Sequence, residues 1–132
     1  MGADAEIRDI PGYLPLMNNP ALCDIYAANA EEYFGEIKLE RGLPFCGSTD
    51  MGDLSYLIPV IQPTVSGFSG AAHSKDFRVS DDNLAYVLPA KLMAAAVIDL
   101  LRSGAEKAKD IKERYPRRSK EQYEELWENI LN

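Results

Sequence analysis

The chain has 132 residues, with 14 lysines and arginines against 21 aspartates and glutamates, which gives a formal net charge of -7. At this length it is one small domain or part of a larger one, and 46% apolar with 27% charged residues is typical of a folded globular protein. The acidic balance argues against a nucleic-acid partner, because proteins that bind the phosphate backbone carry a basic surface.

The sequence predicts neither a membrane span nor an export signal. Its longest apolar stretch, residues 92–101, is interrupted by Asp99 and is shorter than the roughly 20 residues that cross a bilayer. The first residues lack the basic region and apolar core of a signal peptide, so we expect a cytoplasmic protein with no membrane partner. Its two cysteines, Cys23 and Cys46, are too few for a disulfide framework, and we expect each to be a buried small side chain.

The first part of the chain predicts a strand, a helix and a polar loop. Residues 5–10 alternate apolar and polar side chains, which favours a strand. Asn19 followed by Pro20 is typical of a helix N-terminus, and apolar residues at helical spacing continue to Gly35, where we expect the helix to end. Residues 41–53 are rich in glycine and in side chains that cap helices or bind ligands, so they predict a polar loop.

The next part predicts three short elements and a long helix. The short elements are a helical turn at 54–57 and strand pieces at 60–62 and 64–65. Candidate caps at residues 80–83 precede an apolar helix expected over 84–101, with Gly104 as its end. Pro89 lies inside this pattern and predicts a kink or a late start. The alanines of this helix predict close packing against a sheet, and therefore a place in the core.

The C-terminal residues 105–132 differ in charge from the rest of the chain. They contain seven basic and seven acidic residues, so the first 104 residues carry the whole net charge. Ser119 and Gln122 have the spacing of a capping box, and an apolar stripe from Tyr123 to Leu131 follows at helical spacing. We therefore expect an amphipathic helix that docks on another surface.

Two motifs contain the candidate chemistry. Residues 47–53 read GSTDMGD, and about twenty residues later residues 69–74 read SGAAHS and include the only histidine, His73. The histidine and cysteines lack metal-ligand spacing, and no phosphate loop or nucleophile elbow is present, so a complete site cannot be read. Taken alone, residues 48–50 are most simply caps of the next helix, and a lone histidine is more often a surface residue than a metal ligand.

The two motifs and their spacing resemble the C-terminal part of the di-metal amidohydrolases and peptidases that include the N-acyl-amino-acid amidohydrolases. The GSTD run is most similar to the aminobenzoyl-glutamate utilisation hydrolases, and the resemblance covers about residues 5–110. It implies an α/β fold, as a fragment of a three-layer zinc-peptidase-like catalytic domain preceded by the last strand of the lid domain. Residues 1–18 would then end the lid domain, 19–104 would form the C-terminal part of the catalytic domain, and 105–132 would be a helical extension.

The resemblance also implies a site. His73 lies where the family has its last metal-ligating histidine, on one of two divalent ions, zinc or manganese. We expect its imidazole to be at least partly exposed to solvent, with the loop at residues 48–50 nearby. Substrate contacts are implied for Gly47, Ser48, Thr49, Asp50, Asn18 and Gly70. For Asn18 a simple turn role is the alternative. In the family the two ions activate a bridging water and polarise the scissile carbonyl, while a glutamate moves the proton. This glutamate and the other ligands would lie upstream of Met1.

The implied activity is metal-dependent cleavage of the amide bond in N-acyl or aminobenzoyl amino acids or small peptides. We expect the isolated chain to be inactive and to hold no ion by itself, because a catalytic zinc typically needs three protein ligands. We also expect a homo-oligomer, or association with the missing N-terminal part. The alternative is a non-catalytic acidic assembly or binding module that uses its amphipathic C-terminal helix.

Overall fold

The computed structural model describes residues 2–8, 10, 12–35, 39–42 and 47–131, so Cys46 lies outside the described residues. The described residues are mostly helical, with a small antiparallel sheet of two strands. The elements are α1 (Pro20–Phe34), α2 (Met51–Leu54), β1 (Phe68–Ser69), β2 (Arg78–Val79), a π-helical turn (Asn83–Val87), α3 (Leu88–Arg114) and α4 (Lys120–Leu131). The three-layer α/β architecture that the resemblance implies stays a prediction.

Helix α1 begins and ends at the predicted residues. The Asn19 side chain accepts a hydrogen bond from a first-turn backbone N–H at 3.1 Å, and Pro20 occupies the first helical position. At the other end, the Gly35 N–H donates to the Glu31 carbonyl at 3.1 Å. The Asn19 N–H also donates to the carbonyl of Val60 at 2.8 Å, which fixes the start of α1 against a distant part of the chain.

Helices α1 and α3 pack against each other and bury a polar contact between them. Asn29 of α1 is only 3% exposed, and its side-chain amide donates to the Ile25 carbonyl and to the Asp99 carboxylate, both at 2.9 Å. Asp99 in turn forms an ion pair with Arg102 at 3.2 Å. Leu92 of α3 is buried as well. The core between the two helices therefore combines an apolar contact with a satisfied amide–carboxylate link.

The helix predicted for residues 84–101 forms, but its predicted core role is wrong for most of its length. The Asp81 carboxylate accepts two backbone N–H groups, at 2.9 and 3.1 Å, and so caps the π turn as the cluster at 80–83 predicts. Pro89 then lies in the first turn of α3, which corresponds to a late start of the α-helix. The apolar side chains that remain exposed on this helix are Leu84, Tyr86, Val87, Met93, Val97, Ile98 and Leu101. No sheet among the described residues covers them, so they face solvent.

The predicted end of this helix at Gly104 corresponds to a break in α3. Residues 102–105 have non-helical backbone angles, with positive φ at Gly104, and the helix resumes after them to Arg114. By length and composition alone the segment Asn83–Arg114, which contains this break, is sufficient to cross a membrane, and core helices of soluble proteins meet the same criterion. The expectation of a chain without a membrane partner stays a prediction.

The strands predicted for residues 5–10, 60–62 and 64–65 differ from the structure. Residues 5–8 and 10 belong to no strand, and Ile7 and Ile10 are 88% and 85% exposed. A strand needs a neighbour to satisfy its backbone groups, and in the described part of the chain none lies beside these residues. At residues 60–62 the backbone pairs with Asn18 and Asn19 instead, through the Gln62 N–H and the Val60 carbonyl.

The C-terminal helix has the predicted capping box. The Ser119 hydroxyl accepts from the Gln122 N–H at 3.2 Å, and the Gln122 side chain accepts from the Ser119 N–H at 2.9 Å. On the apolar face of α4, Tyr123, Leu126 and Trp127 are half-buried. This face is therefore partly covered by the described residues, in line with an amphipathic helix.

Candidate functional site

The GSTD loop lies directly before α2, and its first role is to start that helix. Gly47, Ser48 and Asp50 are exposed, and Thr49 is half-buried. The Thr49 hydroxyl accepts a long hydrogen bond from the Met51 N–H at 3.4 Å, while the Asp50 side chain makes no capping bond. The capping interpretation is therefore confirmed for Thr49 and wrong for Asp50. The exposed groups of Gly47 and Ser48 remain accessible to a ligand, whereas the Asp50 carboxylate accepts a long hydrogen bond from the Thr49 hydroxyl at 3.5 Å.

Residues 52–55, at the end of the GSTDMGD motif and just after it, hold residues 14–17 in place. A Cβ atom added at Gly52 would overlap the backbone carbonyl of Leu14, so the two backbones touch. The Asp53 carboxylate accepts from the Leu14 N–H at 3.2 Å, and the buried Ser55 hydroxyl accepts from the Met17 N–H at 3.1 Å. Sequence reasoning missed this role, although the signal was present as a glycine and two acceptors within residues 52–55.

Asn18 lies at the end of that held segment. It is exposed, and its side-chain oxygen accepts from the Gln62 N–H at 2.9 Å. This bond supports the turn interpretation of Asn18. Its amide N–H groups have no partner in the described ranges, so they are available to a ligand.

Gly70 closes the β1–β2 hairpin. Its φ is +85°, and a Cβ atom there would overlap the Asp76 backbone carbonyl, so the loop can close only around a glycine. The rings of Phe68 and Phe77 stack across the hairpin with centroids 5.1 Å apart. Tyr86 of the π turn meets Phe68 edge-on at 6.5 Å. These ring contacts hold the hairpin against the π turn, where the long helical segment begins.

His73 lies in this fixed loop in an unfavourable backbone conformation. Its side chain is exposed, as predicted, and its φ is +61°, in the left-handed region. Such a conformation costs a residue with a side chain about 1–3 kcal/mol, and histidine tolerates it better than most. The backbone around it is held by a bond from the Ser74 N–H to the Ala71 carbonyl at 3.1 Å. The result is an imidazole presented to solvent by a strained, well-supported turn.

The two predicted halves of the site lie in separate loops. Gly70 and His73 share the hairpin loop, whereas residues 47–50 precede α2, and no hydrogen bond in the described ranges joins the two loops. The described residues also contain no group of three or more histidine, cysteine, aspartate or glutamate side chains able to hold a metal ion. The meeting of these loops around an ion stays a prediction.

The free thiol of Cys23 is a candidate nucleophile among the described residues. It is half-buried rather than fully buried, and it is free of any disulfide. Burial raises the pKa of its thiol above the usual value, with the Arg41 charge opposing this shift in part. A raised pKa lowers the thiolate fraction at neutral pH, which argues against a catalytic cysteine.

Comparisons with known proteins identify no relative of this chain. No protein-family model matches the sequence, and no match is found among curated proteins or solved structures. The amidohydrolase resemblance therefore rests on the two motifs and their spacing.

Proposed function

We propose that this chain is the C-terminal portion of a metal-dependent amidohydrolase that cleaves the amide bond of N-acyl or aminobenzoyl amino acids or small peptides. The observation that supports it best is His73, an exposed imidazole at positive φ in a loop fixed by Gly70 and by stacked aromatic rings. Strained residues held by well-determined surroundings cluster at functional sites. The exposed position leaves the imidazole free to act as a ligand.

His73 would provide one ligand of a metal site whose other ligands come from another part of the polypeptide. The described residues do not form a metal site by themselves, since they offer no cluster of ligating side chains. A catalytic zinc typically needs three protein ligands, so one imidazole cannot hold it for catalysis. We therefore expect the isolated chain to show no hydrolysis of aminobenzoyl-glutamate or N-acetyl amino acids with zinc, manganese or cobalt.

The loop at residues 47–50 would form part of the substrate pocket wall. Its exposed peptide groups and the Ser48 hydroxyl can donate hydrogen bonds, and Asn18 has amide N–H groups without a partner among the described residues. Thr49 fixes the end of this loop on α2 through its capping bond. These groups suit the carbonyl and carboxylate oxygens of an acyl amino acid.

The test begins with the genomic sequence immediately upstream of the Met1 codon. We expect it to encode, in frame or one shift away, the histidine, aspartate and glutamate motifs of a metal site. The polypeptide that joins both parts should release the amino acid from aminobenzoyl-glutamate or from N-acetyl amino acids. Replacement of His73 by alanine should lower kcat by about a hundredfold or more, the size expected for an essential part of a catalytic site.

Two results would contradict the proposal. One is an upstream sequence without metal motifs, and the other is turnover by the joined polypeptide that is unchanged in His73→Ala. Gly12→Ala serves as the matched control, because nothing lies within 4 Å of a Cβ atom added there.

A non-catalytic assembly module is the second candidate, and the exposed face of α3 favours it. Val97, Ile98 and Leu101 are 52%, 64% and 62% exposed on one helix. Apolar patches of this kind commonly mark protein interaction sites. An upstream sequence without metal motifs, together with stable association of the isolated chain, would support this candidate over the amidohydrolase.

A further inference from the structure

An open cleft lies between the start of α1 and the end of α3, apart from His73 and the GSTD loop. Its volume is about 470 Å³, within the range of small-molecule sites. Apolar parts of its wall come from Met17, Pro20, Ile111 and Pro116, and its aromatic parts come from Tyr56 and Tyr115. The cleft thus has an apolar and aromatic lining suited to the body of a small organic molecule.

Direct bonds hold the two sides of the cleft together. The Arg118 N–H donates to the Tyr56 carbonyl at 3.0 Å, and the Tyr115 hydroxyl donates to the Ser55 carbonyl. Ser55 itself accepts from the Met17 N–H, so one buried serine connects both walls. A cleft whose walls are already joined in this way loses little conformational entropy when a ligand binds.

Two guanidinium groups line the same cleft. Arg118 lies over the Tyr56 ring at 4.8 Å from its centroid and forms no ion pair among the described residues. Arg114 is bound to Asp110 through its Nε at 2.7 Å, and its two terminal nitrogens remain as donors. Arginine in a fixed orientation is suited to paired hydrogen bonds with a carboxylate or a phosphate.

The segment that forms one wall of the cleft has a charge opposite to that of the whole chain, and the lining itself carries Arg114 and Arg118 against Asp110. Residues 107–120 contain seven basic and two acidic residues, a net charge of +5, whereas the chain as a whole carries -7. The acidic surface elsewhere repels anions, so this segment is the place where an anion is attracted.

We propose that this cleft binds a small organic anion, in which a carboxylate or phosphate group is carried on an apolar or aromatic body. The anionic group meets Arg114 and Arg118, and the body lies against Tyr56, Tyr115 and Ile111. Asn18 also lines the cleft and is one of the substrate contacts of the amidohydrolase proposal. Binding here does not otherwise depend on that proposal, because none of the other lining residues belongs to the GSTD loop or to the hairpin.

The test is a calorimetric titration of the whole chain with three compounds of similar body. Phenylacetate and phenyl phosphate carry the charge, and 2-phenylethanol is the neutral analogue. We expect saturable binding of one equivalent of either anion, and binding of the alcohol weaker by at least about tenfold, because hydrogen bonds to charged groups contribute most of the selectivity. The tighter of the two anions identifies the group for which the cleft is built.

Matched variants distinguish binding in the cleft from general attraction to the positive charge of residues 107–120. Arg118→Gln and Arg114→Gln should each weaken phenylacetate binding about tenfold. Lys109→Gln removes the same charge from the same segment but does not line the cleft, and should change binding less than about threefold. Circular dichroism of each variant shows whether it is folded, and Arg114→Gln leaves the stack of Arg118 on Tyr56 intact.

Three results would overturn the proposal. These are no saturable binding of either anion, equal binding of 2-phenylethanol, or a loss in Lys109→Gln as large as in the two arginine variants.

Discussion

Gly52 touches the backbone of Leu14 so closely that any larger residue at position 52 would overlap the Leu14 carbonyl. The Asp53 carboxylate accepts a hydrogen bond from the Leu14 N–H at 3.2 Å, so α2 contacts both the N–H group and the carbonyl of Leu14. Leu14 is itself buried. The short helix α2 is thus the support on which the segment before α1 rests.

Replacement of Gly52 by alanine should therefore destabilise the chain. We expect a loss of about 2–3 kcal/mol in the free energy of unfolding, because the added methyl group forces the backbone of Leu14 away. Urea unfolding followed by circular dichroism measures this loss. Gly12→Ala is the control and should change stability by less than about 0.5 kcal/mol, since the position is open. Equal effects of the two substitutions would show that the contact at Gly52 does not form.

The side chain of His73 should lower the stability of the folded chain. Its φ of +61° is free of strain for glycine, so His73→Gly should leave stability unchanged or raise it by up to about 1 kcal/mol. His73→Val should lower stability by about 1–2 kcal/mol, because a β-branched residue tolerates this conformation poorly. Thermal unfolding of both variants provides the comparison. A glycine variant that is clearly less stable would mean that the imidazole supports the fold rather than a ligand.

The capping box of α4 should determine the stability of that helix. Ser119→Ala removes the hydroxyl that accepts the Gln122 N–H, and should cost about 1 kcal/mol. Hydrogen exchange of the first-turn amides of α4 measures the change locally. Ser66→Ala changes an exposed serine outside this helix and should leave those amides unaffected. Equal exchange rates in both variants would contradict the capping role.

Acid should weaken the same helix end through Glu121. The hydrogen bond from Ser119 lowers the pKa of the Glu121 carboxyl, so folding favours its charged form. The stabilisation is therefore present above the unfolded pKa of about 4.3 and is lost as the pH falls through the lower folded value. An NMR titration of the Glu121 carboxyl should show this lowered pKa, and Ser119→Ala should raise it. A pKa that is the same in both proteins would contradict this prediction.

Local signals predicted both ends of α1 and the start of α4 correctly, whereas Gly104 marks a break in α3 and not its end. Asn19 with Pro20, and Ser119 with Gln122, act within one turn of chain, so neighbouring residues are enough to specify them. The strand predicted at residues 5–10 depended on a partner elsewhere, and no short-range pattern identifies that partner. For the same reason, the apolar composition of α3 predicted burial but not the surface that would cover it.

In the candidate site, too, features set by neighbouring residues were predicted and features that depend on distant residues were not. The exposure of His73 follows from its place in a glycine-rich loop, and the sequence predicts it correctly. The docking of residue 14 on Gly52 joins segments 38 positions apart, and sequence spacing alone does not reveal it. The positive cleft was missed because residues 105–132 are neutral in sum, while their basic residues all lie between 107 and 120.

The exposed face of α3 should cause the chain to associate. Sedimentation equilibrium at about tens of micromolar should show dimers or larger species, as exposed apolar surfaces do in this range. Replacing Val97 and Leu101 together by glutamine should shift the chain toward monomer. The matched control replaces Ile7 and Ile10, which are exposed in the N-terminal segment, and should have no effect. A wild-type monomer, or a double variant that associates as strongly as the wild type, would contradict self-association through this face.

The metal content of the joined polypeptide tests the central claim most directly. Atomic emission analysis should find two divalent ions in each chain that contains both this sequence and the part encoded upstream. The His73→Gly variant, which we expect to fold at least as well as the wild type, should hold one ion or none. Equal metal content in the two proteins, or none in either, would contradict the assignment of His73 as a metal ligand and with it the amidohydrolase proposal.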